Sequence, residues 1–288
     1  MSLVAGAGAT MPALDIFVVL YRCDPEAAET LVTLSRIDFQ ALGIDVEVHI
    51  WDNARAIPAP PNPHFLPFRW RYLASPGNEP LSKVYNVLVS ESTRQHVVIF
   101  DQDSSVNAAF FEKLAESLGK VELRADVFVP VIRHDGHLIS PGRLRWIKGQ
   151  ALRSVTADAM LPTDFTAMMS GMCISRTFLA KLAPQPFDER LRLYGVDTRF
   201  CRDLARHNAR AYLHGAELGH ESALRSTTDP RATLQRQIWL WQSWLHVFDR
   251  NPFEALAIRC YVLWKALRMS VGARARGNFF DVIAEVFR

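Results

Sequence analysis

The stretch VVIFDQDSSV, residues 97–106, decides how this chain is read. Val97, Val98, Ile99 and Phe100 are β-branched or aromatic and suit a buried, pleated setting. Asp is poor in strands, and burying its charge is costly unless the charge is paired or bound to metal. Side chains at i and i+2 of an extended segment point the same way. Asp101 and Asp103, at the strand's carboxyl end, can therefore offer two hard oxygens to one Mg²⁺ or Mn²⁺. The structural alternative is an Asx-type turn into the next helix, capped by Ser104, Ser105 or Asn107.

Upstream of this stretch, apolar strands and helices alternate. Ile16–Tyr21 reads as a buried strand closed by Cys23-Asp24-Pro25, and residues 25–41 have helical spacing up to Gly43. Residues 45–51 alternate strictly, which predicts a second strand ending at Asp52-Asn53. Five prolines make residues 54–67 a loop. A third strand over 69–74, a helix over 82–92 and a helix over 108–119 complete the first half. The pattern predicts a mostly parallel sheet covered by helices, with ligands outside the carboxyl ends of the strands. Three strands end there in candidate chemistry, at Tyr21–Asp24, Asp52-Asn53 and Asp101–Asp103. The second half reads as a strand over 126–131, a polar irregular stretch over 133–158, and an apolar segment over 165–174 followed by a helix to Leu182.

The 288 residues are 49% hydrophobic and 22% charged, as in a soluble globular protein. Cys23, Cys173, Cys201 and Cys260 form no CxxC pair, which predicts reduced thiols and a cytoplasmic setting. No stretch of 18 uncharged apolar residues predicts a membrane span, and the start lacks the charged n-region of a signal peptide. The net charge is +3, but from Arg225 onward ten Lys/Arg face five Asp/Glu, a balance of +5. Residues 238, 241, 244, 245 and 248 form an apolar helical stripe there. After Asn251-Pro252, Arg259, Lys265, Arg268, Arg274 and Arg276 lie among Leu, Ile, Trp and Tyr. Such a segment can lie on an anionic membrane surface, at the inner face of the plasma membrane, or pack against the catalytic domain or a second subunit as a homodimer. No basic stripe interleaved with aromatics falls outside it, so nucleic acid is not expected as a partner.

Together these stretches resemble the family 2 glycosyltransferases of the GT-A fold, and among them the rhamnosyltransferase-like members whose central motif reads DQDS. IFVVLYRCDP (16–25) is similar to the family's first strand and nucleotide-contacting turn, with Tyr21 in it. VEVHIWDNA (46–54) is similar to the second strand, whose terminal Asp, here Asp52 beside Asn53, contacts the base or ribose. VVIFDQDSS (97–105) matches the metal motif. PFDERLRLYGVDTRFCRDLARHNAR (186–210) resembles the acceptor-side segment, in which an acid opens a helix and serves as base, here Asp197. LGHES (218–222) matches a late His that completes the metal shell, which points to His220.

The resemblance covers about residues 14–222; the catalytic domain is expected over 14–224, with 225–288 as a basic amphipathic extension. It implies an inverting enzyme of surface polysaccharide assembly, with dTDP-rhamnose the first donor to consider and a saccharide or lipid-linked saccharide as acceptor. Mg²⁺ or Mn²⁺ would be held by Asp101, Asp103 and His220, with Asp101 also near the ribose and Lys83 assisting at the diphosphate. Asp188 and Glu189 are the next acids in line should Asp197 not be the base. Two other readings stay open. Haloacid-dehalogenase-like phosphatases also end an apolar strand in Asp-x-Asp, with the first Asp (here Asp101) as nucleophile, but on their first strand. A non-catalytic member could scaffold a membrane assembly.

Overall fold

The computed structural model describes residues 11–152, 155–220, 230–271 and 279–287. Its first half is built from β1 (Ala13–Tyr21), α1 (Glu29–Leu34), β2 (Asp45–Asn53), β3 (Arg69–Ser75), α2 (Leu81–Glu91), β4 (His96–Asp101), β5 (Ser104–Ser105) and α3 (Ala108–Gly119). Then follow β6 (Val127–His134), β7 (His137–Ser140), β8 (Gly142–Arg145), β9 (Lys148–Ala151), β10 (Ala159–Met160), β11 (Phe165–Thr166), β12 (Met172–Ser175), α4 (Arg176–Lys181), α5 (Val196–Arg206) and β13 (Ala211–His220). The chain closes with α6 (Pro230–Val247), α7 (Pro252–Val271) and α8 (Phe279–Val286).

The main sheet runs β10-β13-β6-β12-β4-β1-β2-β3, with β5 added to β13 and β7 to β6. β1, β2, β3 and β4 pair in parallel; β12 enters antiparallel between β4 and β6. This is the mixed, mostly parallel sheet flanked by helices that the alternating pattern predicts. Strand order reverses at β1, whose neighbours are β2 on one side and β4 on the other. That is the point where an open α/β sheet leaves a crevice for ligands.

The pleat sends alternate residues to two cores. Phe17, Val97 and Ile99 meet α2 through Val84, Tyr85 and Leu88, and α5 through Val196, Phe200 and Leu204. Ile16, Val18, Leu20, Val98 and Phe100 meet α1 and α3 through Leu31, Leu34, Phe110, Phe111 and Leu114. Both faces are covered, which is why these strands read as continuous apolar runs.

Local expectations fail in two places. The helix expected over 25–41 is only a 3₁₀ turn at Pro25–Ala27 and the six residues of α1. Ser35 Oγ donates to the Val32 carbonyl (2.8 Å) and Thr33 Oγ1 to those of Glu29 and Thr30, so short hydroxyl side chains compete with the helical ladder. The polar stretch over 133–158 is not irregular: β8 pairs with β9 and β11 in a second, three-stranded sheet. Its strands are too short for a two-residue period to show.

The boundary expected at 224 lies in residues 221–229, outside the described part. Beyond it, Val247, Phe248 and Ile258 join the core around α2 and α5, while Ile238, Trp241, Val262, Ala266, Val282 and Val286 form a smaller cluster among α6, α7 and α8. All four cysteines are free, as expected.

Candidate active site

The turn after β4 is held by two hydroxyl side chains from other elements. Thr30 Oγ1, at the start of α1, donates to the carbonyls of Asp101 (2.5 Å) and Ser104 (3.0 Å) and accepts the Ser104 N–H (2.9 Å). Ser170 Oγ lies 2.6 Å from Ser104 Oγ and 3.4 Å from the Asp101 nitrogen. Gln102 turns the other way and accepts the Tyr21 N–H (2.8 Å), which ties the turn to the end of β1 across the crevice. Asn107, not an Asp, caps α3 by accepting the Phe110 N–H. This is one of the caps expected for an Asx-type turn, so the turn does lead into α3.

Asp101, Asp103 and Asp197 converge here. The Asp101 carboxyl is pushed up to about 7 by burial, by the Asp103 charge and by the Asp197 charge. Asp197 comes from the first turn of α5, and its own carboxyl is raised by burial, a rise that the N–H groups of Thr198 and of Asp197 itself partly offset. The buried Tyr85 sits close to both acids, whose charges add to burial in raising its phenol well above the ordinary value. α5 starts at Gly195, where φ is +80° and a Cβ would lie 2.8 Å from Val247 Cγ2. Glycine thus allows both the left-handed turn and the close approach of α6.

The segment leading into α5 is pinned to α2. Asn86 donates to the Phe187 carbonyl and to Glu189 Oε1 and accepts the Phe187 N–H (2.9 Å), and Ser82 Oγ donates to the Leu191 carbonyl. Asp188 is held by Arg190 and Arg199. Burial alone would raise its carboxyl, but those guanidiniums bring it below the ordinary value. Asp188 is thus tied to two guanidiniums, while Glu189 Oε1 accepts from Asn86 alone among the described residues. Arg199, 4% exposed, also pairs with Asp203 (3.3 Å) and Asp249 (3.0 Å) and donates to the His246 carbonyl.

The other expected residues lie along the same edge. Tyr21 is exposed at the end of β1, with the Arg22 guanidinium 5.1 Å from its ring centroid. Asp52 is fully buried; Arg55 Nε (2.9 Å) and the Tyr72 hydroxyl (2.7 Å) both donate to Oδ2, while Oδ1 has no partner among the described residues. Arg55 also reaches Asp24 Oδ1 and the Cys23 carbonyl. Asn53 points to the opposite face and is taken up by Asn78 and Glu79. Lys83 pairs with Glu79 at 2.8 Å. The backbone of His220 is paired with Ser104, next to Asp103, but its side chain lies outside the described part of the structure.

A second group with metal-like spacing, Asp15, Glu47 and His49, lies at the amino end of the strands. Arg94 already fills it, with contacts to Asp15 (3.3 Å), Asp45 and Glu47 (3.9 Å). Burial would raise the Asp15 carboxyl, but hydrogen bonds from His49, Ser92 and the Arg94 N–H hold it at about 2. It is an ion-paired brace.

Sequence reasoning missed Thr30, Ser170, Arg55, Tyr72 and the Arg199 cluster. Thr30, Ser170, Tyr72 and the Arg55–Asp24 pair reach partners 20 to 74 residues away, and the Arg199 contacts depend on which helix face is turned inward, so no local signal marks them. Only Gly195, ahead of a helical pattern, left a trace in the sequence.

No protein-family model and no curated protein matches the chain. Solved structures do. A crystal structure of GalNAc-T7 with UDP, GalNAc and Mn²⁺ is similar at a TM-score of 0.56 and 12% identity, covering 95% of this chain and 54% of that one. Residues 1–349 of S. aureus TarS, in complex with UDP-GlcNAc, are similar at 0.50 and 12%, covering 95% and 80%. Against a longer S. aureus TarS structure the coverage is 92% and 44%, at a TM-score of 0.46 and 14% identity. The chain spans about half the length of GalNAc-T7 and the longer TarS chain. At such identities the likeness is one of fold: the architecture is GT-A. Asp101 ends the fourth strand of this sheet, not the first strand on which the haloacid-dehalogenase-like reading places its nucleophile.

Proposed function

We propose that this protein is an inverting, metal-dependent glycosyltransferase that moves a sugar from a nucleoside-diphosphate donor to a saccharide or lipid-linked saccharide acceptor. The observation that carries this reading is the convergence of Asp101, Asp103 and Asp197 at the carboxyl end of β4, beside the strand-order reversal of a GT-A sheet. A cluster of hard oxygens whose mutual repulsion and burial raise Asp101 suits a divalent cation. Asp101 and Asp103 would hold Mg²⁺ or Mn²⁺, with His220 as the third candidate, and the ion would supply positive charge against the leaving diphosphate. The UDP, UDP-sugar and Mn²⁺ of the similar structures support a nucleotide-sugar donor.

The chain's own groups do the rest. Thr30, Ser170 and Gln102 fix the carboxylate turn, so little reorganisation is needed as charge develops. Asp52 Oδ1 is the acceptor left for an N–H or O–H of the base or ribose, and Tyr21 offers its exposed ring at the same strand edge, in register with Asn53. Lys83 reaches a diphosphate only by leaving Glu79. Asp197 takes the proton of the attacking hydroxyl; burial makes it more basic than an exposed Asp, which suits a general base. Attack from the side opposite the diphosphate inverts the anomeric centre, by the logic of inverting glycosidases. Surface polysaccharide assembly is the setting we infer, with dTDP-rhamnose the first donor to test beside UDP-sugars.

Thermal shift against a nucleotide panel with Mn²⁺ identifies the donor class, since a ligand that binds only the folded state raises its stability. Asp197→Asn then separates binding from chemistry. It should bind donor as the parent does and lose transfer by on the order of 10²- to 10⁴-fold. Transfer at the parent rate removes Asp197 as the base.

A further inference from the structure

α7 is apolar on two opposite sides. Ala255, Ile258, Val262 and Ala266 recur at three- and four-residue steps and are buried, Ile258 in the catalytic core and Val262 and Ala266 in the α6–α8 cluster. On the far side Phe253, Leu256, Leu263, Trp264 and Leu267 follow the same period and are exposed, Phe253 by 82% and Leu256 by 63%. A helix packed on one face ordinarily presents polar residues on the other. Isolated exposed apolar residues need no explanation, but a continuous stripe does. At 1.5 Å per residue this one runs about 21 Å along the helix.

Its borders are basic. Arg259 and Arg268 are exposed alongside it. The Arg268 guanidinium lies 5.1 Å from the Trp264 ring centroid, and the Lys265 ammonium 5.8 Å from it. The helix has one acid, Glu254, and Arg202 holds it at 2.5 Å. Trp146, 54% exposed on the β8–β9 turn, extends the aromatic edge, with its ring centroid 5.3 Å from that of Tyr261. Trp and Tyr beside basic residues are the composition of a water–lipid boundary.

We propose that this outward face of α7 docks on an anionic lipid surface. No helix among the described residues is long and apolar enough to cross a membrane, so α7 would lie in the interface plane. A second copy of the chain fits less well. A two-fold pairing of the stripe would bring Arg259, Lys265 and Arg268 against basic residues of the second copy, while Glu254, the one acid of α7, is already held by Arg202. Arg202–Glu254 and Arg250–Asp203 fasten the start of α7 to α5, so a docked α7 also sets how the Asp197 helix faces the lipid. The proposal concerns where the protein sits and holds whichever sugar is transferred.

The test is co-sedimentation of the full chain with vesicles of phosphatidylcholine alone and of phosphatidylcholine mixed with an equal part of phosphatidylglycerol. Binding should appear with the anionic vesicles and weaken with salt. Phe253→Ser/Leu256→Ser/Leu267→Ser should abolish it with the melting temperature and nucleotide-induced thermal shift unchanged, because these side chains are exposed. Lys265→Gln/Arg268→Gln should weaken partitioning on the order of thirty-fold, about five-fold for each basic residue withdrawn from an anionic surface. Absence of binding by the parent chain overturns the proposal. So does equal binding by the serine variant, or a parent dimer that the serine variant converts to monomer without any vesicle binding.

Discussion

Asp101→Asn should stabilise the metal-free protein at pH 8 while removing its response to metal. In the metal-free fold the Asp101 carboxyl stands at about 7 against an ordinary value of 3.8, because burial, Asp103 and Asp197 all disfavour its charge. A carboxyl whose folded pKa exceeds its unfolded one binds more protons in the folded state between the two values. Stability is therefore lost as pH rises through that window, from about 4 to about 7, and stays low above it. The whole shift corresponds to on the order of 4 kcal/mol. The side chain is partly exposed, and solvent screening reduces the expected gain on neutralisation to roughly 2 kcal/mol. For a chain of this size that is roughly 4 to 8 °C in melting temperature. The assay is thermal unfolding of parent and mutant in chelator, at pH 4 and at pH 8, then at pH 8 with Mn²⁺. The mutant should melt higher only at pH 8, and Mn²⁺ should raise the parent and leave the mutant unchanged. A mutant less stable than the parent at pH 8, or shifted equally at both pH values, would refute the carboxylate cluster as the source of strain.

Two further substitutions probe how α5 is held. Gly195→Ala places a Cβ 2.8 Å from Val247 at a φ of +80°; it should cost on the order of 2 kcal/mol and depress transfer, and an unchanged melting temperature would show that α6 does not press on this turn. Arg199→Met removes the buried guanidinium that Asp188, Asp203 and Asp249 share and leaves Asp188 and Asp249 to Arg190 and Asp203 to Arg250. It should cost on the order of 3 kcal/mol, visible as a lower denaturant midpoint; a loss below about 1 kcal/mol would mean that Arg190 and Arg250 suffice to hold these carboxylates.

Much of the fold was legible in the sequence because its parallel strands are buried on both faces. Ile16–Tyr21 and Val97–Phe100 are continuous apolar runs for that reason, and their abrupt ends in polar residues mark the carboxyl edge. The two acids of the DQDS turn stand out because they end an apolar strand abruptly, whereas Asp197 stands out only through the likeness of residues 186–210 to the acceptor-side segment of the family. Tertiary structure alone decided that Asp101 and Asp197, 96 residues apart, share one site. It also decided that Thr30 and Ser170 hold the turn, that Asp188 is locked by Arg199, and that Arg94 fills the acidic group at the other end of the sheet. These are long-range pairings whose partners leave no period in the chain. In the C-terminal segment the limit was different. The sequence of α7 shows apolar residues all around the helix, and composition does not say which side is covered. Burial of Ile258 and Val262 against the rest of the protein, with Phe253 and Leu256 left outside, is settled only when the helices pack.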